Sequence, residues 1–288
     1  MPRILAVLAG ALVALGGCTA VPGADPSVAS IADIVVGRDD AGSPTIDSPV
    51  GLEFAEPQSR VEWEGEGDDL VEGGPLLLDL YSVSLETGEV LADTYGDLPK
   101  SFLLAPELLG DDLFGALSGH RVGARLLLVS PEDPLHPAQG AIAIVVDVLP
   151  ERAVGVVQPA RDDLPVVVLG RIGEPSVSFR DDYEAPAELV AYTLIQGDGP
   201  QIKTGSRVLV NYLELSSTTR EVLESTWPLE FAPWGFAIGE GALPPGLEQS
   251  LIDVNQGSQL IVIVPPVDAY GEDTLIFVVD VLAVRNPD

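Results

Sequence analysis

The chain is written twice. Gly65, Gly67 and Gly73 in "GEGDDLVEGG" recur as Gly197, Gly199 and Gly205 in "GDGPQIKTGS", and the same offset pairs "EVLAD" (Glu89 to Asp93) with "EVLES" (Glu221 to Ser225) without a gap. After a shift of two residues, Phe102, Leu117, Gly123 and Pro131 pair with Phe236, Leu251, Gly257 and Pro265, and "VVDVL" closes both copies at Val145 to Leu149 and Val278 to Leu282. Upstream, "VVGRDDAGSPTI" resembles "VVLGRIGEPSVS". A register held over that distance makes the chain two copies of one supersecondary pattern, each with its own core.

Within each copy the pattern runs from a short edge segment through a Gly-x-Gly turn, several strands, one short helix and a final strand. In a chain of 288 residues, 25 prolines and 30 glycines break the apolar runs into short pieces. Alternation and β-branched content predict strands over Ser206 to Leu215, Ser258 to Pro266 and Thr274 to Val284. "PPGLEQSLIDV" predicts the helix of the second copy, opened by prolines, with Leu247, Leu251 and Val254 at helical spacing and Gly257 soon after. Many strands and one helix per copy give an α+β class, with the helix packed on one face of an antiparallel sheet.

The first 18 residues, "MPRILAVLAGALVALGGC", form a separate unit. One positive charge at Arg3 precedes an apolar run from Ile4 to Leu15, too short to span a bilayer and suited to the core of an export signal. Cys18 is the only cysteine, so no internal disulfide exists. Leu15-Gly16-Gly17-Cys18 resembles the bacterial lipobox, which implies cleavage before Cys18, its acylation, and anchoring on the extracytoplasmic face of the cell membrane. The expected organisation is a signal over 1–18, a flexible tether over 19–32, a first domain over 33–150, a join over 151–164 and a second domain over 165–288.

A net charge of −31 repels phosphate backbones and excludes nucleic acid as a partner. The acidic pairs Asp39-Asp40, Asp68-Asp69, Asp162-Asp163 and Asp181-Asp182 lack calcium-loop spacing and read as solvated surface. His120 and His136 have no triad or ligand spacing around them. No metal and no cofactor is expected.

The second copy resembles the FKBP family of peptidyl-prolyl cis-trans isomerases. "GDGPQIKTGSRVLVNYLEL" is similar to its opening glycines and Val-x-Val-x-Tyr strand, and "EVLEST" stands at its aromatic-Asp-Ser-Ser segment. "WGFAIGEGALPPGLEQSLIDVNQGSQLIVIVPPVDAYG" is similar to the stretch from the aromatic pair through the helix to Ile-Pro-Pro and Ala-Tyr-Gly, and "LIFVVDVLAV" to the closing strand. The resemblance covers Gly197 to Val284. It implies two FKBP-like domains, each an antiparallel sheet half-wrapped around one short helix, with an apolar pocket between sheet and helix.

Carried over by position, the resemblance implies Tyr212, Glu224, Phe236 and Tyr270 as the catalytic set. It implies Leu223, Trp234, Leu243, Leu247 and Phe277 as the substrate-binding set. Four departures stand out. The aromatic-Asp pair is Leu223-Glu224, the tryptophan of the floor is Leu247, Pro244 takes a position where the family offers a backbone N–H, and the long loop after Tyr-Gly is cut to "EDT" (272–274). In the first copy Leu80, Ala92 and Leu113 replace the tyrosine, the acid and the tryptophan, and "EDPLHPAQG" replaces Tyr-Gly. That copy reads as structural or as an apolar chaperone surface.

The implied function is a weak prolyl isomerase, seated in the second domain, acting on proline-containing exported polypeptides, with macrolides as further candidate ligands. The competing reading is a non-catalytic chaperone or adaptor lipoprotein using both domains as binding surfaces. A solute-binding lipoprotein would need a two-lobed α/β chain, which the many short strands argue against.

Overall fold

The computed structural model describes residues 29–39, 42–131, 140–228, 232–269, 271 and 273–287. The expected signal, Cys18, most of the tether, His136 and Tyr270 lie outside the described residues.

The first copy supplies β1 (Val35–Arg38), β2 (Pro44–Asp47), β3 (Gln58–Trp63), β4 (Pro75–Ser84), β5 (Val90–Asp93), β6 (Lys100–Leu103), α1 (Pro106–Leu117), β7 (Arg125–Ser130) and β8 (Ile142–Leu149). The second supplies β9 (Val156–Val157), β10 (Val166–Leu169), β11 (Pro175–Ser178), β12 (Val190–Gln196), β13 (Arg207–Ser216), β14 (Val222–Ser225), β15 (Trp234–Ala237), α2 (Pro245–Leu251), β16 (Gln259–Val264) and β17 (Leu275–Arg285). Strands β3-β7-β8-β4-β5 form one sheet with β6 also paired to β4; β14-β13-β17-β16-β12-β9 form the other with β15 paired to β13. Every pairing is antiparallel.

The repeat seen in sequence is a repeat of register. Tyr81 faces Asp93 across β4–β5, and Leu213 faces Ser225 across β13–β14. Both pairs carry a bulge at the same point, between Ser82 and Val83 and between Glu214 and Leu215. The repeated glycines follow from close backbone approach: a Cβ on Gly65 would lie 2.4 Å from the Val122 carbonyl oxygen, and one on Gly197 would lie 2.2 Å from that of Gln256. A polar pair is repeated too, buried in the first copy and part-buried in the second. Thr94 Oγ1 accepts from the Leu80 N–H (2.7 Å) and donates to Asp79 (2.9 Å). Thr226 Oγ1 does the same for the Tyr212 N–H (2.9 Å) and Asn211 (2.9 Å).

The central strands of each sheet are buried on both faces. Leu126 and Leu128 point to the helix side with Leu109, Leu113 and Leu117, while Leu127 and Val129 point to the other side with Ile34, Phe54 and Val145. In the second sheet Leu260, Val262 and Val264 face α2, and Ile261 and Ile263 face the outer cluster with Leu164, Ile276 and Val278. Burial on both faces is why β7 and β16 read as unbroken apolar runs.

The upstream segments expected at the sheet edges are instead separate two-stranded hairpins, β1–β2 and β10–β11. Their apolar residues, Val36 and Ile46 in one and Val167 and Val177 in the other, pack on the outer clusters. The last residues of the expected tether are also seated: Ala29 is buried and Ser30 caps a single helical turn over Ile31–Asp33. The join between copies is part of the second sheet. β9 pairs with β12, and the Ala153 N–H donates to Asp280 (2.7 Å).

Asp280 is almost fully enclosed, with Gln259 Nε2 as its second donor (2.7 Å). Burial outweighs both hydrogen bonds and pushes its carboxyl up to about 6. Between the ordinary carboxylate range and that value the native state binds the proton more readily than the unfolded chain, so this group's contribution falls as pH rises through the window. The expected loss from pH 4 to 7 is on the order of 2–3 kcal/mol. Denaturant unfolding across that range should show a steeper decline for the wild type than for Asp280→Asn; equal slopes would contradict the assignment.

Candidate functional site

A cavity of about 640 Å³ opens in the second copy between the helix-facing side of the sheet and α2. Strand geometry places its walls. Val210, Tyr212 and Glu214 alternate along β13 and share one face, and β17 sets Val279 opposite Tyr212 and Phe277 opposite Glu214. On the other side β15 sets Trp234 against Val210 and Phe236 against Val208. Leu243 and Pro244 lead into α2, whose Leu247 and Leu251 face the cavity.

One wall is aromatic. The Tyr212 and Trp234 rings have centroids 5.8 Å apart, and those of Trp234 and Phe236 are 4.9 Å apart, both pairs tilted. Tilted contacts of this kind add stability beyond the area they bury. Phe236, Leu247 and Phe277 are buried within the same core cluster, so wall and floor are held by packing on the side away from the cavity.

The other end is acidic. Glu224 lies beside Tyr212, and burial followed by the influence of Glu224 raises the Tyr212 phenol well above the ordinary range. Tyr212 therefore stays protonated. Glu214 stands directly opposite Glu224 across β13–β14, and burial followed by the Glu224 charge raises its carboxyl. The arrangement is a largely apolar pit with one polar corner. Among the described residues no group of three His, Cys, Asp or Glu is placed to hold a metal ion.

Eight of the nine residues chosen from the sequence line this one cavity: Tyr212, Leu223, Glu224, Trp234, Phe236, Leu243, Leu247 and Phe277. Leu223 is an exposed residue at the rim, whereas Leu243 and Leu247 are buried. Tyr270 is the ninth and lies outside the described residues. Glu214, Ala232 and Pro233 also line the cavity and were not expected. Glu214 was within reach of sequence, because it follows Tyr212 at strand spacing; Ala232 and Pro233 carry no signal of their own.

The departures have structural consequences. Pro244 precedes the first turn of α2 and lines the cavity without an N–H to offer. Asp273, within the short connection, accepts from Thr218 Oγ1 (2.7 Å), from Ser216 Oγ and from the Thr274 N–H (2.8 Å). These bonds fasten Asp273 to the β13–β14 turn. In the first copy the corresponding Leu80, Leu91, Phe102 and Leu113 pack together in the core beneath α1, Leu80 and Leu113 being buried.

A family model for "FKBP-type peptidyl-prolyl cis-trans isomerase" matches residues 199–280. An "FK506-binding protein" of Streptomyces anulatus is 32% identical over 124 residues, covering 39% of this chain and 98% of that protein. Among solved structures, the three FKBP domains of wheat FKBP73 align at 15% identity with a TM-score of 0.33, covering 81% of this chain and 96% of that one. FkpA from Escherichia coli aligns at 23% identity with a TM-score of 0.32, covering 35% of this chain and 51% of that one.

The floor at Leu247 generates a direct test. Leu247→Trp narrows the pit and adds an aromatic face, and such contacts contribute about 0.5–1.5 kcal/mol. Binding of a short Xaa-Pro peptide, followed by NMR titration, should tighten severalfold, with an overpacking cost to stability of no more than about 3 kcal/mol. Unchanged affinity in a folded variant would mean that this position does not face the ligand.

Proposed function

This chain belongs to the FKBP-type peptidyl-prolyl cis-trans isomerase family, and on that premise we propose that the cavity of the second copy binds proline and accelerates rotation about the bond before it. The supporting observation is the assembly of Tyr212, Trp234, Phe236, Leu247 and Phe277 around one apolar pit.

No nucleophile is required. Exchange at an Xaa-Pro bond is slow because rotation breaks amide resonance, and unaided it takes tens to hundreds of seconds. The planar amide is charge-separated and well solvated; the twisted transition state is less polar. Moving the bond into an apolar, water-poor pit therefore raises the ground state relative to the transition state, while rigid walls favour the twisted shape. In this reading Trp234, Phe236 and Leu247 hold the pyrrolidine ring, Phe277 closes the depth, and Tyr212 with Glu224 forms the polar corner beside the substrate backbone.

The proposed activity is weak. Pro244 provides no donor for a substrate carbonyl, and one missing hydrogen bond costs about 0.5–1.5 kcal/mol, close to tenfold in rate at its upper limit. The shortened connection at Asp273 removes a cover from the mouth. Those two features favour the second reading, a chaperone or adaptor that binds proline segments without turning them over. The proposed substrates are proline-containing segments of exported polypeptides, with the protein lipid-anchored through Cys18 on the extracytoplasmic face of the membrane. Mass spectrometry of the mature protein, with Cys18→Ser as control, tests the anchor.

NMR exchange spectroscopy on a short Xaa-Pro peptide with the full chain tests the activity. The expected result is acceleration that falls at least tenfold in Phe236→Ala. A folded wild-type chain that binds the peptide without accelerating exchange would leave the chaperone or adaptor reading in place.

A further inference from the structure

A second cavity, of about 290 Å³, lies between the two copies. From the first copy it is lined by Leu77, Phe102, Leu103 and Leu108, and from the second by Trp227 and Pro228. Thr226, Ala232 and Pro233 line this cavity and the proline pit alike, so the two share a wall. We propose that this inter-copy cavity is a specificity subsite, which takes one large apolar side chain of the same polypeptide, a few residues from the proline held in the pit. The proposal rests on the reading of the pit as a proline site.

Four observations carry it. First, the frame is fixed. Leu77 and Leu149 of one copy pack with Leu209, Leu282 and Ala283 of the other. Arg285 Nη2 donates to the buried Asp79 (2.6 Å), and Arg207 pairs with Asp97 (2.6 Å). At the cavity itself Asn211 Nδ2 donates to the Glu151 carbonyl (2.9 Å), joining β13 to the chain leaving the first copy. Such a joint gives a preformed recess rather than a gap between loose bodies.

Second, the size suits one side chain. The volume falls at the lower limit for pockets that hold drug-sized ligands. Third, the lining is largely apolar, with Leu108 more than half exposed as an apolar rim. Of the polar groups, the Asn211 amide is already engaged by Glu151 and Thr226. Burial pushes the Glu151 carboxyl up to about 7. Fourth, the shared wall favours an occupant on the same chain. Once a proline sits in the pit, a neighbouring residue reaches the recess at high effective concentration. The first copy, whose own pocket positions are packed shut, then has a role: Phe102, Leu103 and Leu108 build half of the subsite.

The test is a set of Gly/Ser peptides with one proline and one phenylalanine, the phenylalanine walked through four positions on either side. Affinity is read by NMR titration of the full chain, and exchange rates are taken from the same samples. The expected result is a three- to thirtyfold gain in affinity at one or two positions, on one side only. Leu108→Trp, which plugs the recess from its exposed rim, and Leu108→Arg should abolish that gain while leaving the affinity for the proline-only peptide unchanged. Absence of a position-dependent gain overturns the proposal, as does a gain that survives in both variants. A gain that persists when proline is replaced by alanine also overturns it, since the recess would then act alone. Failure to accelerate exchange in the proline-only peptide defeats the isomerase reading instead, and leaves the affinity comparison intact.

Discussion

The structure depends on a cavity kept open inside a close-packed core. A void beneath a helix is ordinarily filled, because unfilled space in a core costs stability in proportion to its volume. In the first copy Leu80 and Leu113 take part in a continuous core beneath α1. In the second, the Tyr212, Trp234 and Phe236 rings brace one another along the wall, and Leu247 and Leu251 approach from α2. The sheet behind them is packed on its far side by Ile261, Ile263 and Val278. Rigid backing lets the pit persist, and the proposed chemistry needs little more than persistence and dryness.

The same frame decides where polarity is tolerated. Thr226 satisfies the Tyr212 backbone and Asn211 at once, and Asn211 reaches on to the Glu151 carbonyl. One part-buried hydrogen-bonded chain therefore runs from the edge of the pit to the junction between copies, and a partly satisfied version would be costly. Arg285 and Asp79 close the junction from the end of β17. Pit, joint and inter-copy recess are parts of one construction, although the catalytic reading concerns the second copy alone.

Much of this was legible in the sequence. The glycine repeat marked backbone approaches that no Cβ permits, and eight of the nine candidate residues named from strand alternation and the family resemblance line one cavity. What stayed hidden was non-local. The runs "RLLLVS" and "QLIVIV" do reveal burial on both faces, but not that the covers are the hairpins β1–β2 and β10–β11. The join carries Arg, Asp and Pro and reads as a linker; its place in the second sheet depends on one β9 pairing and on the carboxylate of Asp280. α2 stops at Leu251, short of the predicted span, so Val254 packs on the core from beyond the helix. The inter-copy recess needs the relative placement of Phe102, Leu108 and Trp227, which no local pattern encodes.

In the proposed mechanism proline is received by the second copy's pit and not by the first copy's core. Methyl-labelled full-length protein titrated with a short Xaa-Pro peptide, and with its Xaa-Ala counterpart, tests this most directly. The expected result is proline-dependent shifts at the methyls of Leu243, Leu247 and Val279, with those of Leu80, Leu109 and Leu113 unmoved. Shifts centred on the first copy, or equal shifts with both peptides, would contradict it.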